Sequence, residues 1–534
     1  MKKQAFGFLL FLVLILTGCF VSTYSSDWDI EWDQSALEEK MEFLQSVDTS
    51  GIAEQPNVIL IIADDLGKYE LSSYGANEIQ TPNIDAIGAA GARFEDAYVT
   101  APICAPSRAA ILTGRYQQRY GFETQPMEFY PTNKIEFGLG KRSNLGDWRV
   151  TADGKFPKPW MLERQGIPPE QIALAELFKM KNYATGQIGK WHLGYGEEHL
   201  PNSRGFDYQY GFYGAFSLYT PSRKTPGYVN FIQDDLSAHH QWNMGRNEQA
   251  AIRENNKVVQ EKQYLTFALR DKAKQFISEH VEDPFFLYLA FSAPHVPFQA
   301  PQEYFDQFAH VQDSNRRVYL SMIKALDDAV GDVMNHLKQK GLWENTIVYF
   351  VSDNGGAAYT GATDNGPLKG GKITHFEGGI NVPFMLQWPG KIPAGTVFRH
   401  PVSAMDIFAT TVKACSLTLP PNLEIDGQDL LPYLMEGKVG EPHEKLYWRT
   451  DHIHAIRVKQ WKLILSTRDG WLHLYNLEND QSESYDLSDL NSAERDQLLD
   501  FFESWNKELP TNYLWPRIMD RKFVIGDHEY YFPA

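Results

Sequence analysis

Three continuous apolar runs leave this chain few architectures: Val58-Ile59-Leu60-Ile61-Ile62-Ala63, Phe285-Phe286-Leu287-Tyr288-Leu289-Ala290 and Thr346-Ile347-Val348-Tyr349-Phe350-Val351. Each is rich in β-branched or aromatic residues, is bounded by polar turns and lacks the alternation of a strand with one wet face. Such runs belong to strands covered on both sides in a mainly parallel sheet. Between them, Ser321 to Lys338 places Met322, Leu326, Val330, Val333, Met334 and Leu337 at helical spacing. Strands alternating with helices predict an α/β sandwich, with function at the carboxyl ends of the strands. The texture changes near Glu441. Short alternating segments, among them Ala455-Ile456-Arg457-Val458 and Trp461-Lys462-Leu463-Ile464-Leu465, precede a helical Asn491 to Trp505 and predict a smaller antiparallel sheet with a packed helix. The expected units are therefore a catalytic α/β domain over 53–440 and a C-terminal α+β subdomain over 441–534.

The chain has 534 residues, with 50 Lys and Arg against 68 Asp and Glu, a formal net charge of −18. That balance argues against a general nucleic-acid binder, which needs a basic face for phosphates. Cysteine occurs at only 3 positions, Cys19, Cys104 and Cys415, which excludes a disulfide framework and a Cys-only metal cluster. Lys2 and Lys3 precede an apolar run from Ala5 to Leu16 and then Leu16-Thr17-Gly18-Cys19. A positive start, a short apolar core and small residues before a cleavage point describe an export signal, and the run is well short of the ~20 residues that span a bilayer. The tetrapeptide resembles the lipobox of bacterial lipoproteins; a cleaved signal with an incidental Cys and a short membrane anchor are the alternatives. The expectation is a signal peptide over 1–18 and a lipidated N-terminus and linker over 19–52, in which Asp33 to Val47 looks like a short amphipathic helix. The product would be an exported lipoprotein anchored through Cys19, at the outer membrane on its periplasmic or surface face.

The second cysteine opens Cys104-Ala105-Pro106-Ser107-Arg108-Ala109-Ala110-Ile111-Leu112-Thr113-Gly114-Arg115. Pro106 suits the first turn of a helix, where its missing N–H would be unpaired anyway. A side chain at that helix N-terminus sits in a positive field, which suits a nucleophile attacking an anionic ester. Asp64-Asp65 closes the first apolar run and Asp353-Asn354 a later one. Two pairs of oxygen ligands at neighbouring strand ends would make a hard-cation site. Gly189-Lys190-Trp191-His192-Leu193-Gly194 follows an expected strand over Tyr183 to Ile188, and Ser292-Ala293-Pro294-His295-Val296-Pro297 follows another. Gly370-Gly371-Lys372 leads into Glu377-Gly378-Gly379. Each puts a Lys or His where it can project into a cleft.

The twelve-residue segment matches every fixed position of the type I sulfatase signature, and the other motifs resemble sulfatase motifs in the expected order. The loop Lys372-Ile373-Thr374-His375-Phe376 departs from the commoner Lys-Gly-Thr-x-Tyr form, which leaves His375 without a role. The resemblance implies an alkaline-phosphatase-like sulfatase fold, a large mostly parallel mixed sheet between helices. It implies that a formylglycine-generating maturation enzyme oxidises Cys104 to formylglycine. It also implies that Asp64, Asp65, Asp353 and Asn354, with residue 104, bind one Ca2+, ahead of Mg2+. Arg108 would hold the nucleophile and the metal ligands, Lys190 and Lys372 the sulfate, His295 with Lys372 the leaving oxygen, and His192 the proton of the second hydroxyl.

The predicted activity is removal of sulfate from a sulfated oligo- or polysaccharide, of algal type in the first instance. The alternatives are a formylglycine-dependent phosphate or phosphonate ester hydrolase and an inactive lipid-anchored glycan-binding protein. Thr124 to Pro169 and Phe212 to Glu261 are long and aromatic-rich and are expected to wall the substrate cleft. Trp148, Trp160, Tyr213, Tyr219 and Trp242 are the candidate sugar platforms, and Cys415 the single remaining thiol.

Overall fold

The structure is a computed structural model that describes residues 30–46, 55–127, 146–151, 159–233, 236–511, 513–515 and 519–534. The elements that position the site are, in chain order, α1 (Gln34–Ser46), β1 (Asn57–Asp64), β2 (Ala92–Phe94), α2 (Cys104–Thr113), β3 (Trp148–Val150), β4 (Ala184–Lys190), β5 (Tyr208–Phe212), β6 (Arg253–Glu254) and β7 (Lys257–Val258). They continue with α3 (Leu265–Glu279), β8 (Phe285–Pro294), α4 (Ser314–Gln339), β9 (Thr346–Ser352), β10 (Phe384–Gln387), β11 (Thr396–Phe398) and α5 (Asp406–Ala414). The last are β12 (Lys445–Thr450), β13 (Ile453–Val458), β14 (Trp461–Ser466), β15 (Leu472–Asn476), α6 (Ser492–Asn506), β16 (Met519–Ile525) and β17 (His528–Pro533).

The three apolar runs become β1, β8 and β9, and every residue in them is buried. They sit side by side at the centre of a large sheet of order β11-β2-β10-β9-β1-β8-β4-β5-β6-β7. Its middle, from β9 to β5, is parallel, and antiparallel pairs join β10 to β9 and β6 to β5. The absence of alternation in the runs has a direct cause. Val58, Leu60 and Ile62 point into one apolar core, while Ile59 and Ile61 point into a second that includes Leu269 and Ile277 of α3 and Leu326 and Val330 of α4. Each such side chain, taken fully out of water, contributes ~1.5–3 kcal/mol.

The parallel arrangement brings the carboxyl ends of β1, β4, β8 and β9 to one edge. There the pairing of β1 with β8 slips: Ile62 lies opposite Ala290 but Asp64 lies opposite Pro294. Such an irregularity turns the strand end and re-aims its side chains. Close approach at this edge needs glycine at position 189, where φ is +112° and an added Cβ would lie 1.8 Å from the Ala290 carbonyl oxygen.

The strands β12 to β15 form an antiparallel meander with α6 packed on it, as expected, beginning four residues after Glu441. Its core is shared with the large unit: Ile456, Leu463 and Leu474 meet Leu498 and Phe502 of α6 together with Ala110 of α2 and Met405. Two further pieces go beyond the sequence reading. The hairpin β16–β17, for which the sequence held no separate expectation, pairs with β3, with Arg521 opposite Trp148. The segment 30–46, read as linker, is docked. Ile30 is buried, and the buried Lys40 of α1 donates to the carbonyls of Pro169 and Gln171 at 2.6 and 2.9 Å and to Glu176 at 2.7 Å. Lys40→Met is expected to cost about 1–3 kcal/mol, because it leaves buried acceptors unpaired. Limited proteolysis should then cut between α1 and β1 faster than in the wild type.

Candidate functional site

The expected site residues converge at the edge defined by the strand ends. Cys104 is the first residue of α2, and the preceding Ile103 has extended backbone (φ −144°, ψ 149°) with no side-chain cap. The cysteine therefore sits in the positive field of uncapped N–H groups. Its thiol donates to Asp64 Oδ1 at 3.4 Å and lies 3.9 Å from Asp65 Oδ1, while Lys372 Nζ donates to the sulfur at 3.2 Å. Lys372 also pairs with Asp65 Oδ1 at 2.7 Å, and Lys190, the last residue of β4, pairs with Asp64 Oδ2 at 2.7 Å.

Arg108 lies one helical turn after Cys104 and is fully buried. Its Nε donates to Asp353 Oδ2 at 2.7 Å and its Nη1 to the Lys190 carbonyl at 3.1 Å, while Nη2 lies 3.8 Å from Asp64 Oδ2. Asn354 Nδ2 donates to Asp65 Oδ1 at 2.8 Å. The turn carrying Asp353 and Asn354 is pressed against the short helix Glu377–Ile380: a Cβ on Gly355 would lie 1.8 Å from the Gly378 carbonyl oxygen. His295 Nε2 stands 3.6 Å from Asp65 Oδ2, and its ring Nδ1 is engaged by the Val296 carbonyl. Tyr219, buried below it, donates to the His295 carbonyl at 2.9 Å.

Three non-glycine residues at this edge adopt positive φ: Asp65 (61°), His192 (61°) and Ile373 (80°). That region is sparsely populated for such residues and persists only where the surroundings enforce it, a pattern that clusters at active sites. His192 is fully buried, and neither ring nitrogen has a hydrogen-bond partner among the described residues.

Three carboxylates thus face three cationic side chains in a volume almost closed to solvent. Burial alone would raise the Asp64 and Asp65 carboxyls, but Lys190, His295 and Arg108 around the first, and His295 and Lys372 around the second, hold both below their ordinary value. Burial, with the charge of Asp353, pushes the Cys104 thiol far up, so the unmodified residue is a protonated thiol. Burial opposes the Lys372 charge, yet Asp65 and Cys104 raise its pKa well above normal. His192 is pushed well below the usual histidine value by burial and then by Lys190, Arg108 and Lys372, and is neutral.

The donor set fits a hard divalent cation. Ligand atoms of Asp64, Asp65, Cys104 and His295 lie within 4.8 Å of one another. Asp65 Oδ2 and Asn354 Oδ1 are buried without hydrogen-bond partners, a costly arrangement that a cation would relieve.

Other sequence expectations fare differently. His375 packs: it is fully buried, stacks near Phe532 at 6.3 Å and meets Thr450 Oγ1 at 3.1 Å. Tyr219 is fully buried with its hydroxyl spent on backbone, and Tyr213 and Trp242 are 4% and 7% exposed, so none of the three offers a face to a sugar. Trp148 remains half-buried on β3, and the Trp160 side chain and Cys19 lie outside the described residues. Cys415 is a buried free thiol at the end of α5.

Comparison with known proteins agrees with this geometry. Residues 56–416 match the family model described as Sulfatase, and residues 371–500 match that described as N-sulphoglucosamine sulphohydrolase, C-terminal. The chain belongs to the sulfatase family and is a sulfuric ester hydrolase with the alkaline-phosphatase-like fold. N-acetylgalactosamine-6-sulfatase of Canis lupus familiaris is 32% identical over 418 residues, covering 77% of this chain and 72% of that protein. Arylsulfatase D of Homo sapiens is 30% identical over 482 residues, covering 78% and 75%. The crystal structure of Ps i-CgsB in complex with k-i-k-neocarrahexaose is 34% identical, with a TM-score of 0.70, covering 85% of this chain and 94% of that one.

Proposed function

We propose that this protein removes sulfate from a sulfated carbohydrate, with residue 104 acting as formylglycine beside one bound Ca2+. The observation that carries the reading is the position of Cys104, at a helix N-terminus within hydrogen-bonding reach of Asp64 and Lys372 and fully buried. The carbohydrate substrate is supported by relatives whose names specify a sulfated amino sugar and a neocarrahexaose complex.

Asp64, Asp65, Asp353 and Asn354 would hold the cation, together with residue 104, whose sulfur occupies the place of the formylglycine oxygens. The cation would supply Lewis-acid stabilisation of charge on the sulfuryl group. Oxidation of Cys104 would supply an aldehyde whose hydrate offers one hydroxyl to attack sulfur and a second by which sulfate is expelled. Lys190 and Lys372 bind sulfate oxygens, since fixed cations in a dry site stabilise developing charge without reorganising. Asp353 accepts the proton released at residue 104, and Arg108 fixes Asp353 through the 2.7 Å bond to Oδ2. His295 and Lys372, the most exposed members of the cluster at 5% and 4%, would supply the proton to the leaving oxygen. His192, kept neutral by burial, takes the proton from the second hydroxyl.

The lipobox-like Leu16-Thr17-Gly18-Cys19 supports export and anchoring through Cys19. The meander and α6 are best treated as a subdomain over 441–534 that shares the catalytic core.

Peptide mass spectrometry of protein co-produced with a maturation enzyme tests the nucleophile. The expected result is an aldehyde at position 104 and release of sulfate from aryl sulfate well above release of phosphate from aryl phosphate. A persistent thiol in active enzyme would overturn the formylglycine reading.

A further inference from the structure

Arg521 on β16 is 3% exposed, and its Nε is buried with no hydrogen-bond partner; among the described residues no carboxylate pairs with it. Its guanidinium lies against two aromatic rings, 3.9 Å from the centroid of Tyr359 and 5.0 Å from that of Trp148. Its neighbour Asp520 is pinned by Arg149 at 2.8 Å and Arg468 at 3.0 Å, which fixes the strand. Phe523 meets the Tyr359 ring edge-on at 6.4 Å, so the hairpin is locked onto this tyrosine.

Tyr359 joins the two regions. Its turn is packed on the sulfate-binding loop, with the Lys372 N–H donating to the Gly356 carbonyl at 3.0 Å and an added Cβ on Gly371 lying 3.1 Å from Ala358 Cβ, while its ring lies 3.9 Å from the Arg521 guanidinium. Tyr359 and Gly370 also line an open cavity of about 770 Å³ whose charged lining is Arg316 and Lys522 with Glu78, Asp147, Asp313 and Asp364; Arg521 is not among its lining residues and lies behind the Tyr359 ring. A buried guanidinium without a counter-ion is unfavourable in isolation, whereas its planar fork matches the oxygens of a carboxylate or sulfate. Contact with the two rings restrains the guanidinium, and the unpartnered Nε leaves it a donor for such a group. Arg521 lies beyond both matched family regions, which end at residues 416 and 500, whereas Tyr359 and Trp148 lie within the first.

We propose that Arg521 is a specificity-determining residue that binds a second anionic group of the substrate, a carboxylate or further sulfate ester close to the one hydrolysed. This rests on the carbohydrate sulfatase reading above. The test uses matched disaccharides carrying the scissile sulfate alone, the same sulfate plus a uronate carboxylate, or the same sulfate plus a second sulfate ester. kcat/KM is measured for wild type, Arg521→Gln and Arg521→Lys, and binding of the same sugars is measured on Cys104→Ala with and without Arg521→Gln.

The expected result is a wild-type preference for one doubly anionic sugar, which identifies the source of the anion. Arg521→Gln should reduce that preference by about 10- to 100-fold, the scale of a hydrogen bond to a charged group, with Arg521→Lys intermediate. Equal losses on all three sugars, a preference that survives Arg521→Gln, or no preference in the wild type would overturn the proposal. If mature wild type turns over none of the sugars, the carbohydrate reading fails, and the binding contrast still decides the role of Arg521.

Discussion

Cys104→Ser is expected to lower sulfate ester turnover by on the order of 10⁴-fold or more, the scale seen when a covalent nucleophile is removed, while the protein stays folded. The substitution is nearly isosteric at a fully buried position. A serine hydroxyl can still donate toward Asp64 and accept from Lys372, so the packing of α2 and the balance of three carboxylates against three cations persist. The lost element is chemical. A serine that escapes conversion has one hydroxyl, so a sulfated intermediate formed on it has no second hydroxyl by which to expel sulfate. A single burst of product without turnover would be consistent with that trap. The measurements are steady-state sulfate release and a melting curve, with Tm expected within about 1 °C of wild type, a change of about 1 kcal/mol for a chain of this size. Serine enzyme with near-wild-type turnover, shown by mass spectrometry to keep its hydroxyl, would sink the formylglycine mechanism.

The site was legible because its residues are tied to features that sequence carries locally. Asp64, Asp353 and His295 each end or follow a continuous apolar run, and a parallel sheet must bring such ends to one edge. Cys104 and Arg108 belong to a single helix. Lys190 shows the limit of that reasoning: it was expected just beyond a strand ending at Ile188, but β4 continues through it, because Gly189 lets the backbone approach Ala290 and keep pairing. The pairing of β16 with β3 joins residues about 370 apart and leaves no local periodic signal, so neither the third sheet nor the Arg521 clamp could be read. Burial of individual aromatics was also hidden. Tyr219 and Trp148 both lie in aromatic-rich insertions, and only tertiary packing makes one a support beneath His295 and the other a half-buried wall. The helix over Asp33 to Val47 was visible from its apolar spacing, whereas its docking depends on Lys40 meeting carbonyls of a distant loop.

Stability is expected to fall as pH drops below 6.5, by about 3 kcal/mol between pH 6.5 and pH 5, from two histidines that are not among the proposed metal ligands. His199 is pushed down to about 3 by burial, reinforced by Arg204, and its Nδ1 meets the Ile167 carbonyl at 3.0 Å. His454 is pushed down to about 4 by burial and by Arg449, and stacks on Phe502 at 4.6 Å. Both folded-state values lie below the unfolded value of about 6.5, so between them the unfolded chain binds more protons than the native one. The contribution is therefore fully present above pH 6.5 and is lost as pH falls toward the folded values, at about 1.4 kcal/mol per pH unit for each residue. His192 and His375, also held neutral by burial, act in the same direction. Denaturant unfolding of the whole chain at a series of pH values measures the slope. His199→Asn, which can keep a donor toward Ile167, should reduce it by about 1.4 kcal/mol per pH unit whatever it does to absolute stability. A slope unchanged by this substitution would mean that His199 is not neutral in the native protein, and a flat profile from pH 6.5 to 5 would refute the assignment for both residues.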